Sequence, residues 1–514
     1  MQLNSSIIKT NLSTNTETTR RRLFHFPGPY RPQLFSLKPA RTILFVLLFA
    51  SVPFFIPKLR NALSLKGESY SQMLPDPREL FTFKASRAAA ATIVPGAAAV
   101  EPPSSEASAA SKSTDPCDAK LIADPGRVLD KFYVSLANTD AKKTGAITRI
   151  THYGDSPITN DGITGTTRRL LQERFGDAGH GFILIDRPWA WYGHQAITFS
   201  SGGGWTADSF MNPRVRDGAF GLGGVTFRAD GPGKYARYAP ASTGDTGKST
   251  SRLEVYYLAQ PGGGQFSASA NGTKTETVST DSESAKSGFH ELKASQAGAN
   301  TFEIKSLSGS VRLFGAVLEN DGPGVVYDSL GVNGAYAGLL KSVMNEQHWV
   351  EQLQHRKPDL VVLNYGTNES EYASDDQMER YEKDLCEVVR RVHSALPSTP
   401  VLIITPMDRG KRAGGGKIIT LESIPKIVDM QQRVARDTGC AFFNMFAAMG
   451  GAGTMAQWHA GKKHLVGADL THPNAEGAET VGVLIFEALI DGYAKYRART
   501  DTRDHSLVAQ RDKK

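Results

Sequence analysis

Residues 146–156 read AITRITHYGDS, an apolar and β-branched run that ends in Gly-Asp-Ser. This pattern predicts a strand followed by a sharp turn. The next stretch, ITGTTRRLLQERFG (163–176), carries apolar residues near helical spacing and closes on a glycine, which predicts a helix. A strand, a turn and a helix in this order are typical of the opening of an α/β domain.

The pattern changes twice further along the chain. From about 200 to 320, short alternating runs such as GVTFRAD, RLEVYYLAQ and NTFEIKSL are separated by turn residues, which predicts a β-sandwich or jelly roll. From about 323 to 497, the apolar runs DLVVLNYG, VLIITP and CAFFNMF predict strands buried on both faces, with helices between them. The sequence therefore predicts one α/β domain, with a parallel sheet covered on both sides, split by an inserted β domain.

These changes divide the chain into seven predicted segments. In order they are a basic N-terminal segment (1–41), a transmembrane anchor or signal sequence (42–57), a disordered Ala/Ser/Pro linker (58–115), the first part of the α/β domain (116–200), the inserted β domain (201–322), the second part of the α/β domain (323–497) and a disordered tail (498–514).

Charge is concentrated at the N-terminus. Residues 1–66 carry a formal charge of +9, so the remaining chain carries −2, because the whole chain carries +7. Basic residues before the apolar run 42–57 predict export of the following chain, with that run either cleaved or kept as an anchor. We therefore expect a periplasmic or other extracytoplasmic location, a membrane contact through this segment and no nucleic-acid partner.

The cysteines do not indicate a disulfide framework or a zinc site. There are three, Cys117, Cys386 and Cys440, they are widely separated, and none belongs to a Cys-x-x-Cys pair. We expect free thiols, although one bridge is conceivable in an exported protein. No His, Asp or Glu spacing resembles a metal site, so a reaction without metal or cofactor is expected.

Three short segments carry residues suited to acyl transfer: 154–156 (Gly-Asp-Ser), 366–369 (Gly-Thr-Asn-Glu) and 469–473 (Asp-Leu-Thr-His-Pro). A serine hydroxyl needs a base, and the base needs an acidic partner to fix its tautomer. Ser156, His472 and Asp469 can fill these roles, and donors for an oxyanion can come from the Ser156 N–H, a glycine N–H and Asn368. Each segment alone is also an ordinary turn, so the interpretation depends on their combination and order.

The order of these segments resembles that of the GDSL/SGNH hydrolases. Ser156, Asn368, Asp469 and His472 match the family's motifs, and the segment 328–334, DSLGVNG, resembles its glycine block. Within that block Gly334 fits the family's oxyanion glycine best, with Gly331 as the alternative. The resemblance implies a flavodoxin-like three-layer α/β/α sandwich and a Ser-His-Asp acyl-enzyme mechanism.

One departure from compact members of the family is informative. Ser156 and Gly334 are 178 residues apart, and the predicted β domain occupies that gap. The layout resembles that of peptidoglycan O-acetylesterases with an inserted carbohydrate-binding-like β domain, and the phrases YGTNE and DLTHPN support this resemblance. It implies an exported esterase that removes O-acetyl groups from a cell-wall or periplasmic polysaccharide. The alternatives are a polysaccharide O-acetyltransferase with the same triad and a non-catalytic glycan-binding scaffold.

For most of the other polar and aromatic residues near these motifs, we expect a structural role rather than a catalytic one. Asp155 is expected to stabilise its turn rather than serve as a second acid, and Glu369 is expected at the surface or in a first helical turn. The aromatic stretch 186–194 is expected to pack at the domain junction, although its rings could stack on sugars. Trp205 is equally compatible with a place in the core of the β insertion and with a place in the wall of a substrate groove. His152, His459 and His464 are the histidines that could take the role of His472.

Overall fold

The computed structural model describes residues 120–372 and 374–511. The predicted basic segment, the apolar run 42–57, the linker 58–115 and Cys117 lie outside the described residues. Within the described part of the chain, no helix combines the length and apolar character needed to cross a membrane.

Helices and strands alternate at both ends of the described chain, and strands alone fill its middle. The strands are Ile147–Gly154 (β1), Gly179–Ile183 (β2), Ile197–Gly202 (β3), Thr206–Ser209 (β4), Val225–Asp230 (β5), Tyr235–Pro240 (β6), Arg252–Ala259 (β7), Gln265–Ala270 (β8), Lys274–Ser279 (β9), Lys286–Lys293 (β10), Phe302–Ser308 (β11), Ser310–Glu319 (β12), Gly324–Gly331 (β13), Leu360–Asn364 (β14), Val401–Ile404 (β15), Gly410–Arg412 (β16), Ile418–Thr420 (β17) and Ala441–Phe443 (β18). The α-helices are Asp130–Asp140 (α1), Ser156–Thr159 (α2), Gly162–Phe175 (α3), Leu339–Ser342 (α4), Glu346–Arg356 (α5), Asp375–Ala395 (α6), Ser423–Thr438 (α7), Met445–Ala448 (α8), Thr454–Ala460 (α9) and Ala475–Arg511 (α10).

A five-stranded parallel sheet forms the centre of the α/β domain. Its strand order is β13-β1-β14-β15-β18, so β1 lies between β13 and β14. Alternate residues of β14 enter different apolar clusters: Val361 and Leu363 pack with residues of α6 and α7, whereas Leu360 and Val362 pack with residues of α1, α3 and α10. Both faces of the sheet are therefore covered by helices, and the predicted three-layer α/β/α sandwich is confirmed.

The middle of the chain forms two antiparallel sheets. One has the order β10-β7-β12-β5-β4, with β2 also paired to β12, and the other has the order β3-β6-β11-β8-β9. The sheets contact each other through apolar side chains, among them the rings of Tyr257 and Phe266, whose centroids are 5.4 Å apart. The fold class of an α/β sandwich split by a β-sandwich insertion is thus the one observed.

Strand β2 departs from the sequence-based division of the chain. Residues 116–200 are predicted to belong to the α/β domain, yet β2 pairs antiparallel with β12, with Ile183 opposite Ala316. The limit at residue 200 also falls inside β3. All five residues of β2, GHGFI, are buried, and a short run that is buried on both faces does not reveal by its pattern which sheet it will join.

The predicted disordered tail 498–514 is a second departure. Helix α10 begins at Ala475 and continues to Arg511. Residues 493–511 contain neither glycine nor proline, and a helix that has already formed extends at the cost of ordering one residue per added hydrogen bond. Arg499 also contacts Asp130 of α1 at 2.5 Å.

A buried arginine joins the parallel sheet to the insertion. Arg356 of α5 donates to both carboxylate oxygens of Asp328 on β13, at 2.8 Å each, and to Glu319 on β12 at 2.6 Å. Arg149 of β1 donates to the same Glu319 at 2.8 Å, and the backbone N–H of Phe182 in β2 donates to Asp328 at 2.9 Å. Burial opposes ionisation of Glu319, but the two guanidinium groups outweigh it and hold the pKa of this carboxyl well below its usual range.

Replacing Arg356 by methionine should destabilise the fold strongly. The change leaves two buried carboxylates without their shared cation, which should lower the free energy of unfolding by about 3–5 kcal/mol. Denaturant unfolding followed by circular dichroism measures this loss. The matched control is Arg390→Met on α6, whose guanidinium lies at the surface and whose loss should change stability little. Equal losses in the two variants would contradict the role given to Arg356.

Candidate active site

The segment that contains Ser156 lies at the carboxyl edge of the parallel sheet. Strand β1 ends at Gly154, which pairs with Gly331 of β13 on one side and Asn364 of β14 on the other. A side chain at Gly154 would lie 2.5 Å from Ile158 and 3.1 Å from the Asn364 carbonyl, so only glycine permits this tight turn into α2. Ser156 is therefore the first residue of a short helix at the sheet edge.

Ser156, His472 and Asp469 form a continuous chain of hydrogen bonds. Ser156 Oγ lies 2.7 Å from His472 Nε2, and His472 Nδ1 lies 2.7 Å from Asp469 Oδ2. An ionised carboxylate can only accept, so Nδ1 carries the proton and Nε2 is left to accept from the serine hydroxyl. The structure thus brings together the three residues singled out from the sequence, in a geometry that suits proton transfer from serine to histidine.

The local turn orients Asp469 toward the histidine. Its Oδ1 accepts the backbone N–H groups of Thr471 at 3.0 Å and His472 at 3.1 Å, while Leu470 between them has φ +58°. Burial opposes ionisation of Asp469, but hydrogen bonds from the His472 side chain and this backbone outweigh it and lower the pKa of Asp469 below its ordinary value. The turn therefore favours the ionised carboxylate, which is the form that accepts the His472 Nδ1–H.

Arg409 connects the histidine loop to the loop after β14. Its guanidinium donates to Thr471 Oγ1 at 3.2 Å, to the Thr367 carbonyl at 2.9 Å and to Ser370 Oγ at 2.9 Å. Sequence reasoning did not single out this residue. The available indication was its position three residues after the buried run VLIITP, because residues that follow a parallel strand gather at the same edge.

Gly334 and Asn368 lie in the wall of one cleft of about 440 Å³. Asn368 Nδ2 donates to the Ala335 carbonyl at 2.8 Å, and its amide group has a second N–H that this bond does not use. Gly334 has φ +78°, a conformation that favours glycine. A side chain there would also approach within 3.2 Å of Met211, in the loop between β4 and β5 of the insertion.

The alternative glycine, Gly331, has a packing role. It is paired with Gly154 inside the sheet, and a side chain at this position would lie 2.5 Å from the backbone of Ile158 and Thr159. The turn that follows Ser156 therefore needs glycine at 331 for close approach. Of the two candidates, Gly334 is the one that lines the cleft.

Asp155 and Glu369 are carboxyl groups enclosed between these loops. Asp155 Oδ2 accepts the backbone N–H of Thr367 at 3.1 Å, which links two loops rather than stabilising the residue's own turn. Glu369 starts a short 3₁₀ helix, yet it does not extend into solvent: Oε1 accepts the Ala337 N–H at 2.9 Å, and Oε2 is enclosed without a partner among the described residues. Burial raises the pKa of Asp155 to about 7 and, with the charge of Asp155 nearby, that of Glu369 to about 8.

The other residues considered from the sequence have different surroundings. His152 is buried in β1, 2.8 Å from Tyr327 Oη, and His464 contacts the backbone of His459 at 2.6 Å. Trp205 is buried and donates to the Tyr235 carbonyl at 3.0 Å. Within the aromatic stretch, Tyr192 is buried and Trp189 packs against the core, whereas Trp191 is 55% exposed.

Metal-binding residues do not cluster in the part of the chain that the structure describes. No group of three or more His, Cys, Asp or Glu side chains there is arranged to hold a metal ion. Cys386 and Cys440 are free thiols, of which Cys440 is buried.

Residues 297–480 match the model of the GDSL-like lipase/acylhydrolase family. The predicted resemblance to GDSL/SGNH hydrolases is therefore confirmed for this part of the chain. The match begins inside the insertion, so Ser156 lies outside it, whereas Asn368, Asp469 and His472 lie inside it.

Two known proteins are similar to parts of this chain. An acetylxylan esterase from Xylanibacter ruminicola is 28% identical over 165 residues, a match that spans 28% of this chain and 31% of that relative. A solved structure of a peptidoglycan O-acetylesterase is 24% identical, with a TM-score of 0.61 over 73% of this chain and 99% of that one. The second similarity shows that most of the described chain shares that protein's fold.

Glu369 should make stability depend on pH. Its folded-state pKa is raised to about 8, so its stabilising protonation is complete at acidic pH and is lost as pH rises through that value. Between about pH 5 and pH 9 the free energy of unfolding should fall by roughly 2–4 kcal/mol more in the native protein than in Glu369→Gln. Urea denaturation at both pH values measures the difference. Glu379→Gln, at an exposed site on α6, is the control, and parallel pH curves for native protein and Glu369→Gln would disprove the assignment.

Proposed function

We propose that this protein is a serine esterase that removes O-acetyl groups from a polysaccharide. The observation that carries the proposal is the hydrogen-bonded chain from Ser156 through His472 to Asp469, with 2.7 Å at each side-chain contact. A hydroxyl held this close to an acceptor nitrogen can lose its proton as it attacks an ester carbonyl.

The reaction proceeds in two steps in this proposal. Ser156 Oγ bonds to the acetyl carbon while His472 Nε2 takes the hydroxyl proton, and the sugar oxygen leaves with that proton. Water then attacks the acetyl-serine and gives one proton to His472, which passes it to Ser156 Oγ as the acyl bond breaks. Acetic acid departs and ionises in the solvent to acetate. Asp469 stays ionised and stabilises the imidazolium that forms in each step.

The developing negative charge on the carbonyl oxygen needs donors. The backbone N–H groups of Ser156 and Gly334 and the free N–H of the Asn368 amide are assigned to this oxyanion hole. The positive φ of Gly334 and the bond from Asn368 to Ala335 support fixed positions for two of these donors. Fixed donors stabilise the transition state because they need not reorganise when charge appears.

An O-acetylated polysaccharide is the proposed substrate, with peptidoglycan favoured. The similar proteins include an acetylxylan esterase and a peptidoglycan O-acetylesterase, and a cleft of about 440 Å³ next to Asn368 supports a substrate much larger than acetate. Acetate release to water is expected. Acetyl transfer to an oligosaccharide hydroxyl would instead identify an O-acetyltransferase with the same triad.

Export belongs to the same proposal. It is supported by the basic residues that precede the apolar run 42–57, which would tether the protein to the membrane facing the periplasm. Recovery of the full-length chain from the cytoplasmic fraction after cell lysis would contradict it.

Alanine at Ser156 or at His472 should abolish hydrolysis of an aryl acetate. Removing the nucleophile or its base is expected to lower kcat by roughly 10⁴-fold or more, while the fold remains. The release of the chromophoric alcohol measures the rate, and circular dichroism checks the fold. His464→Ala is the matched control and should keep native activity, because His464 contacts His459 rather than Ser156. Full activity in Ser156→Ala would reject the mechanism.

Asn368→Ala should lower kcat far more than it changes KM. Loss of one oxyanion donor is expected to reduce kcat by roughly 10²- to 10³-fold, because the donor acts mainly when charge develops on the carbonyl oxygen. Steady-state kinetics on an aryl acetate separate the two constants. A raised KM with unchanged kcat would show that Asn368 binds the ground state instead.

A further inference from the structure

The cleft beside Gly334 and Asn368 is much larger than an acetyl group. At about 30 Å³ for each water molecule of the liquid, its 440 Å³ corresponds to about fifteen water molecules. A sugar ring with its substituents has a comparable number of non-hydrogen atoms. If acetyl transfer occurs at Ser156, the rest of the cleft is therefore available to the sugar that carries the ester.

Two of the acidic side chains in the cleft wall have their own cationic partners. Glu371 contacts Arg409 at 2.5 Å, and Asp384 contacts Lys341 at 2.7 Å. The third, Glu369, has a pKa raised to about 8 by burial and by the charge of Asp155, so it is mainly uncharged at neutral pH. The acidic residues of the wall therefore contribute little uncompensated negative charge.

Arg380 is the cation that remains. It lines the cleft from α6 and is exposed, and no ion-pair partner is found for it among the side chains that the structure describes. Its helix is well fixed, since Ser374 and Gln377 form a capping box and Tyr381, the next residue after Arg380, is buried. A guanidinium on a rigid helix that lines a cleft is suited to bind a carboxylate with two parallel hydrogen bonds.

Tyr336 supplies an aromatic surface in the same cleft. Its side chain is 42% exposed, and it lies two residues after Gly334. An exposed aromatic ring offers a flat apolar surface with a polar edge, which suits the C–H face of a pyranose ring. The cleft thus presents a ring surface and a free cation beside the proposed reaction centre.

We propose that Tyr336 and Arg380 form a subsite for an acetylated sugar that bears a carboxylate, on the ring itself or on a substituent. This inference rests on the proposed esterase function and sharpens it. The preferred substrate is an acidic glycan, and a neutral acetylated glycan such as xylan lacks the group that Arg380 binds. Both residues are binding residues in this proposal and take no part in proton transfer.

The test compares three O-acetylated substrates and one small ester. The substrates are a neutral xylo-oligosaccharide, a peptidoglycan glycan freed of peptide so that its ring substituent ends in a carboxylate, and the same glycan with its peptides attached. Aryl acetate reports the chemical step alone. The native full-length protein should have a lower KM for the acidic glycans than for the neutral one, and the better of the two acidic substrates identifies where the carboxylate lies.

Arg380→Gln should raise KM for the better acidic glycan about tenfold and leave both the neutral glycan and aryl acetate unchanged, while Arg380→Lys should recover part of the loss. Arg390→Gln, on the same helix but outside the cleft, is the matched control and should behave like the native protein. Tyr336→Ala should raise KM for every glycan but not for aryl acetate. Unchanged KM in Arg380→Gln, or an equal rise for neutral and acidic glycans, would overturn the subsite.

The two proposals fail in different ways. If Ser156→Ala keeps its activity on aryl acetate, the esterase mechanism fails. If Ser156→Ala is inactive and Arg380→Gln binds acidic glycan as well as the native protein does, the esterase mechanism stands and the carboxylate subsite alone is rejected.

Discussion

The pairing of β1 with β13 and β14 is the constraint on which the rest of the structure depends. Gly154 lies opposite Gly331 on one neighbour and opposite Asn364 on the other, although the chain builds a complete β-sandwich between β1 and β13. Parallel strands in register end at the same edge. The loops that carry Ser156, Gly334 and Asn368 therefore emerge side by side, whatever their separation in sequence.

A cluster of buried charges fixes the place where the chain leaves the insertion and re-enters the parallel sheet. Arg356 binds Asp328 on β13 and Glu319 on β12, so the last strand of the insertion and the first strand after it share one cation. The guanidinium group and the two carboxylates must lie within hydrogen-bond distance, since each carboxylate would be costly to bury without its cation. It fixes β13 against β1, and through β13 it fixes the glycine block.

The parallel sheet brings the loops of the site to one edge, and hydrogen bonds between these loops then fix their positions relative to one another. Asp155 binds the Thr367 backbone, Asn368 binds Ala335, Glu369 binds Ala337, and Arg409 spans from Thr367 to Thr471. Each bond connects a loop to its neighbour, and together they leave the serine, the histidine and the amide with little freedom. A site held in this way needs less reorganisation during acyl transfer.

The sequence predicted those features that depend on local pattern or motif order. The helical spacing of residues 163–175 correctly predicted helix α3. Ser156 and His472, which are far apart in sequence, lie at hydrogen-bond distance because the loops that follow parallel strands gather at one edge of the sheet. It did not predict that β2 joins the insertion, because a fully buried run has the same pattern in either sheet. The enclosed carboxyl of Glu369 was also missed, since burial of a polar residue depends on neighbours that are distant in the chain.

The identity of the nucleophile is tested most directly by trapping the covalent intermediate. The native protein can be mixed with an aryl acetate, quenched in acid within the first turnover, digested and analysed by mass spectrometry. An acetyl group on the peptide that contains Ser156 is the result expected from a hydroxyl 2.7 Å from His472 Nε2. Rapid hydrolysis with the acetyl group on another residue, or with no acetylated peptide and undiminished turnover in Ser156→Ala, would contradict the assignment.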